Sequence, residues 1–182
     1  MSNYSQRRIN LVFTIALINI GFAILCTIIS DKFDFIWLRN YNAINILAYI
    51  AAAYLAKNGH LTIARILYLI TSSIGIAVIS SFAGKNGSLE FIYIFNIGLP
   101  FIMFSYRRER AYIISFFILP LILWFLLFIT DYNLFAIRKI DPIIAKKVIY
   151  PITILSTISL VIFQLIYFLI INASYFNRIQ KK

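Results

Sequence analysis

Apolar residues in this chain come in long continuous runs separated by short polar interruptions. Six runs stand out, at about 9–29, 42–56, 63–82, 89–106, 111–130 and 148–171. A membrane-spanning helix takes about 20 mainly apolar residues. The pattern therefore predicts an all-α, polytopic membrane protein, a six-transmembrane-helix bundle forming a single membrane domain. The breaks carry turn chemistry: Asp31-Lys32-Phe33-Asp34, Lys57-Asn58-Gly59-His60, Gly84-Lys85-Asn86-Gly87-Ser88 and Arg107-Arg108-Glu109-Arg110. Asn58-Gly59 is a strong turn signal and predicts a tight hairpin between the second and third helices. One long connection, 131–147, precedes the last helix, and 172–182 reads as a cytoplasmic connector stub. Barrel strands would alternate apolar and polar over about ten residues. These runs are twice as long and do not alternate, and backbone groups in lipid must be satisfied within each segment.

Composition strengthens this picture. The chain of 182 residues is 62% hydrophobic and only 13% charged, about half the charged share of a soluble domain. The apolar stretch after Arg7 and Arg8 is longer than the roughly 7–15 residues of a signal-peptide core, so it is expected to be a retained first helix. The lone cysteine, Cys26, lies inside an apolar run and reads as a packing residue.

A net charge of +11 does not point to nucleic acid, because the basic residues lie in the gaps between apolar runs, where membrane proteins concentrate them. With the N-terminus in the cytoplasm, ten basic residues and one acid, Glu109, fall inside. Seven basic residues fall outside (Lys32, Arg39, Lys85, Arg138, Lys139, Lys146 and Lys147), with five acids: Asp31, Asp34, Glu90, Asp131 and Asp141. The compact clusters Arg7-Arg8, Arg107-Arg108-Glu109-Arg110 and Lys181-Lys182 act as topology determinants and place both termini in the cytoplasm.

Chemistry-bearing residues are few. Glu90 is the acid nearest a span, and it suits the positive end of the fourth helix. His60 is the only histidine and has no metal-ligating neighbours in sequence, so no metal, cofactor or catalytic triad is expected. No phosphate-binding glycine loop is present, and the chain is expected not to be an enzyme. Inside the apolar runs, Asn19, Asn45, Asn96 and Gln164 are amides that seek partners on other helices. Pro100 cannot donate to the Asn96 carbonyl and Gly98 loosens the same turn, so Asn96, Gly98 and Pro100 mark an expected kink in the fourth helix. Pro120 makes a similar break in the fifth. Asn96, Gly98, Pro100, Asn45 and Gln164 are the candidate ligand-binding or kink residues. Phe33, Phe35, Trp37 and Tyr41 after the first helix, and Trp124, Phe125 and Phe128 late in the fifth, read as interfacial aromatic belts.

Phe104-Ser105-Tyr106-Arg107-Arg108-Glu109-Arg110, with Pro120 ten residues on, resembles one known module. The turn from Ala56 to His60 before Ala64-Arg65, and the group from Asn96 to Pro100, resemble it too. The module is the six-helix membrane domain N-terminal to bacterial sensor histidine kinases, class III adenylate cyclases and diguanylate cyclases. The resemblance implies a non-catalytic sensory or regulatory domain in the bacterial inner (cytoplasmic) membrane, and it spans nearly the whole chain. It implies a homodimer or a signalling output protein as partner, besides the lipid bilayer. In such proteins the sixth helix continues into a catalytic domain, which these 182 residues do not contain. A split receptor and a stand-alone relative are both open. The alternative function is a small transporter or channel subunit, since interrupted helices at Pro100 and Pro120 are features of substrate sites.

Overall fold

The structure, a computed structural model, describes residues 3–32, 35–135 and 139–179. Phe33, Asp34, Arg138, Lys181 and Lys182 lie outside the described residues, as do the side chains of Arg7, Lys32 and 171–179. Among the described residues every regular element is helical: α1 Asn3–Lys32, α2 Ile36–Lys57, α3 Leu61–Ala83, α4 Ile92–Met103, α5 Arg110–Ile129, the single turn α6 Pro142–Ile144, and α7 Tyr150–Ile179. Short 3-10 turns at Lys85–Gly87 and Leu89–Phe91 enter α4, and a π segment at Ala145–Ile149 joins α6 to α7.

Each of the six apolar runs is thus helical at its centre. Four helical segments are long and apolar enough to cross a membrane: Arg8–Ile28, Leu61–Ala83, Arg110–Ile129 and Pro142–Ile170. The other two runs fall short for different reasons. α2 has 22 residues, but Asn40, Asn42, Asn45 and Arg39 dilute its apolar content. The Leu89–Met103 segment is apolar but shorter than a span.

Boundaries moved where local chemistry outweighed the apolar pattern. The last helix starts near 142 and not at 148, because Asp141 caps it: its carboxylate accepts from the Ile143 N–H at 2.7 Å. Pro142 fills the first helical position, where a missing N–H costs nothing. The fourth ends at Met103 and not near 106. Phe104 turns extended, and the Glu109 carboxylate accepts from the Ser105 N–H at 2.8 Å. Phe104 is 1% exposed and stacks on Tyr112 and Phe116 of α5. That stack closes the α4–α5 hairpin and leaves Arg107, Arg108 and Arg110 exposed at its tip.

The chain forms two compact units, Met1–Gly75 and Ile76–Lys182, with the division inside α3. In the first, α1 packs along α2, and the Asn19 amide on α1 donates to the Tyr68 hydroxyl on α3 at 2.7 Å. The buried face of α2 recurs at Leu38, Asn42, Asn45, Tyr49, Ala52, Ala53 and Ala56, the spacing of one helical stripe. Gly59, at φ +89°, ends α2 in the left-handed conformation that glycine adopts without strain, as the Asn-Gly signal predicts.

In the second unit, α4 packs against α5 and α7, and Ala77, Tyr93, Leu127 and Tyr132 form a buried cluster. α5 ends in a Schellman motif. The Tyr132 N–H bonds the Leu127 carbonyl at 2.8 Å, and the Asp131 N–H bonds that of Phe128 at 3.2 Å. Such caps usually carry glycine at the left-handed position. Here Asp131 and Tyr132 both take positive φ, 47° and 59°. Asp131→Gly is therefore expected to raise stability by about 1 kcal/mol, read as an upward shift of the thermal midpoint in detergent. A lower midpoint would mean the aspartate side chain holds the loop.

Candidate functional site

The sequence candidates fall into two groups, one in each unit. In the second unit, α4 remains helical through Pro100 and closes three residues later. Asn96 and Pro100 are both fully buried. Gly98 faces Gln164 of α7 so closely that any added side chain would displace the end of the glutamine. A Cβ on Gly98 would lie 2.7 Å from the Gln164 side-chain carbonyl carbon and 2.9 Å from its oxygen, and closer still to its amide nitrogen. Gly98 and Gln164, far apart in sequence, therefore form one contact, with Asn96 and Pro100 on the same short helix.

This contact shows how α7 is seated. Its buried positions, Thr153 and Thr157, and the half-buried Gln164 are polar and spaced one and two turns apart. Its outward positions are mostly leucine and isoleucine, with Ser159, Phe163 and Phe168 among them. Helix–helix contacts in lipid favour such small and polar interfaces, because lipid solvates leucine as well as protein does.

The end of this unit that carries Leu89–Phe91 holds Glu90. Its Oε1 accepts from the Tyr132 hydroxyl at 2.7 Å, and its Oε2 is buried without a partner among the described residues. Lys139 donates to the Asp131 carbonyl at 2.9 Å, and the Ile140 N–H bonds the Phe82 carbonyl. Tyr132 is almost fully buried. Burial pushes its hydroxyl above the ordinary tyrosine range, and the hydrogen bond to Glu90 and the charges of Glu90 and Asp131 push the same way. Glu90 is thus a bonded partner of the α5 cap, a role that its place beside a turn does not reveal.

In the first unit, Asn45 lies on the buried face of α2 and hydrogen-bonds Tyr41. A Cβ on Gly75 would sit 3.6 Å from the Asn45 Nδ2, 3.9 Å from the Tyr41 hydroxyl and 4.0 Å from that of Tyr49. Sequence reasoning missed Asn42, which is 1% exposed, with neither amide atom hydrogen-bonded among the described residues. Its signal was available: it falls one turn before Asn45 on the same helical stripe.

Of the aromatic residues read as belts, Trp37, Trp124, Phe125 and Phe128 are exposed, Phe35 and Tyr41 are half-buried, and Phe33 lies outside the described residues. At the α1–α2 corner, Arg39 pairs with Asp31 at 2.8 Å, an exposed bridge worth about 0–1 kcal/mol. Among the described residues no group of three His, Cys, Asp or Glu side chains could hold a metal ion.

The fold defines a class: an all-α chain whose apolar helices suit a membrane. No protein-family model, curated protein or solved structure matches it.

Proposed function

We propose that the chain is the membrane-embedded sensory or regulatory domain of a bacterial signalling system. It crosses the inner membrane six times with both termini in the cytoplasm, and is itself non-catalytic. The observation that carries this reading is the Gly98–Gln164 contact. It ties the proline-containing α4 to α7, the helix that runs on to Ile179. A small or apolar ligand that favours one arrangement of α4 would thereby bias the position of α7, and differential affinity for two arrangements is all that such signalling requires.

The outward face of α7 supports a homodimer as the signalling form. Leu155, Ile158, Ile162, Leu165 and Leu169 are 51–69% exposed, and their spacing alternates three and four, the period of a coiled-coil seam. With a cytosol-only reporter fused after Lys182, activity is expected in cells, and activity only when exported would reverse the topology. Single cysteines at Leu155 and Leu165 are expected to cross-link between copies in membranes, in a cysteine-free background. Absence of cross-links from both would remove the α7 dimer.

A small transporter or channel subunit is the second reading. It is favoured by Pro100 and Pro120, both buried within helices. Solute flux in reconstituted vesicles separates the two.

A further inference from the structure

We propose that the buried polar seam of the first unit binds a small uncharged molecule through a headgroup that both donates and accepts hydrogen bonds, such as a primary carboxamide or a hydroxyl. The binding step stands without the regulatory reading, because it is measured on the protein alone.

The seam starts from Asn42. Its amide is 1% exposed, yet Nδ2 has no acceptor and Oδ1 no donor among the described residues. A buried amide in that state bears its full desolvation penalty, so an occupant that offers one acceptor and one donor is strongly favoured. One turn on, Asn45 and Tyr41 are bonded to each other. The Asn45 amide, the Tyr41 hydroxyl and the Tyr49 hydroxyl all lie within 4.0 Å of the bare face of Gly75. The Tyr49 ring is 5.6 Å from that of Tyr68, whose hydroxyl accepts from Asn19. Polar side chains from α1, α2 and α3 thus line one run of the interior.

The seam holds amides and phenols and no ionised group. The charged residues on these helices lie toward their ends: Arg39 and Asp31 beyond Tyr41, and at the other end Arg8, Lys57 and Arg65, of which Arg8 and Arg65 are buried, three or more helical turns along the chain from Asn42. A charged ligand would be desolvated there without a counter-ion, which is costly. A hydrocarbon would leave Asn42 as it is. Only a neutral headgroup with both hydrogen-bonding functions satisfies the site. A bridging water could do so for Asn42 alone, and the experiment separates the two cases.

The full chain in lipid nanodiscs is titrated with decanamide, with decane and ionised decanoate as controls. Trp37 is the reporter, because its ring stacks on Tyr41 at 5.8 Å, and Trp124→Phe removes the other indole. Saturable quenching by decanamide is expected, with none by decane or decanoate. Asn42→Leu is expected to weaken decanamide at least tenfold while melting, without probe, at an equal or higher temperature, since an orphan amide has been removed. Tyr41→Phe retains the stack and is expected to weaken binding at least threefold. The proposal is overturned if decane titrates like decanamide, or if both variants bind like the parent. It is also overturned if decanamide gives no saturable signal; a lower melting temperature for Asn42→Leu then marks a structural amide bridged by water.

Discussion

Gly98→Leu is expected to separate α7 from α4 and to lower stability by about 1–3 kcal/mol, the usual cost of forcing extra side-chain atoms into a packed contact. The strain is local and its source is known: the new side chain enters the space held by the Gln164 amide. Gly98→Ala should cost much less, because the end of a glutamine side chain can swing aside. Gln164→Ala combined with Gly98→Leu should recover most of the loss, since it vacates the contested volume. A double-mutant cycle on thermal unfolding in detergent measures this directly. Additive single effects would mean that the two residues do not share one contact. Under the proposed function the same leucine uncouples output from stimulus in a fusion protein, whereas Gln164→Ala alone weakens the coupling and retains the fold.

Tyr132→Phe carries the second large effect. The hydroxyl is the only donor to Glu90 among the described residues, since the other carboxylate oxygen has none. Removing it leaves a part-buried carboxylate unbonded, at about 1–3 kcal/mol. The effect has a definite pH dependence. Tyr132 has its hydroxyl pKa raised above 10.0, first by burial and then by Glu90 and Asp131. A raised pKa favours the protonated form in the folded state. Its contribution is therefore complete below pH 10 and is lost as pH rises through the folded-state value. The stability gap between the native chain and Tyr132→Phe should be constant from neutrality to about pH 9 and close above pH 10. A gap that stays unchanged into strong alkali would show that the hydroxyl is not held as a buried donor.

These two contacts were legible to different degrees. Gly98 and Gln164 each stood out as departures from an apolar run, Gln164 as an amide seeking a partner on another helix and Gly98 as part of an expected kink. Their pairing did not follow, because nothing local says which faces of α4 and α7 meet. Glu90 was visible as the acid nearest a span, but its place beside a turn suggested a dipole partner and not the acceptor of a tyrosine 42 residues away. The α5 cap was hidden for another reason. Sequence signals for left-handed backbone rest on glycine and asparagine, and here Asp131 and Tyr132 hold that conformation. The Schellman bonds and the burial of Tyr132 against Leu127 compensate the strain.

The sequence by itself determined that the six apolar runs are helical and where turn chemistry breaks them; it predicted six spans, whereas four helical segments are long and apolar enough to cross a membrane. Helix formation and chain punctuation are short-range: hydrogen bonds close within a turn, and proline, glycine and charge act where they stand. Only the tertiary structure decided that Gln164 covers Gly98, that Tyr132 reaches Glu90, and that Asn42 is buried with its amide unanswered. Each of these depends on which helical faces meet. Where an apolar run is hydrophobic on every side, its pattern does not say which side faces protein and which faces lipid.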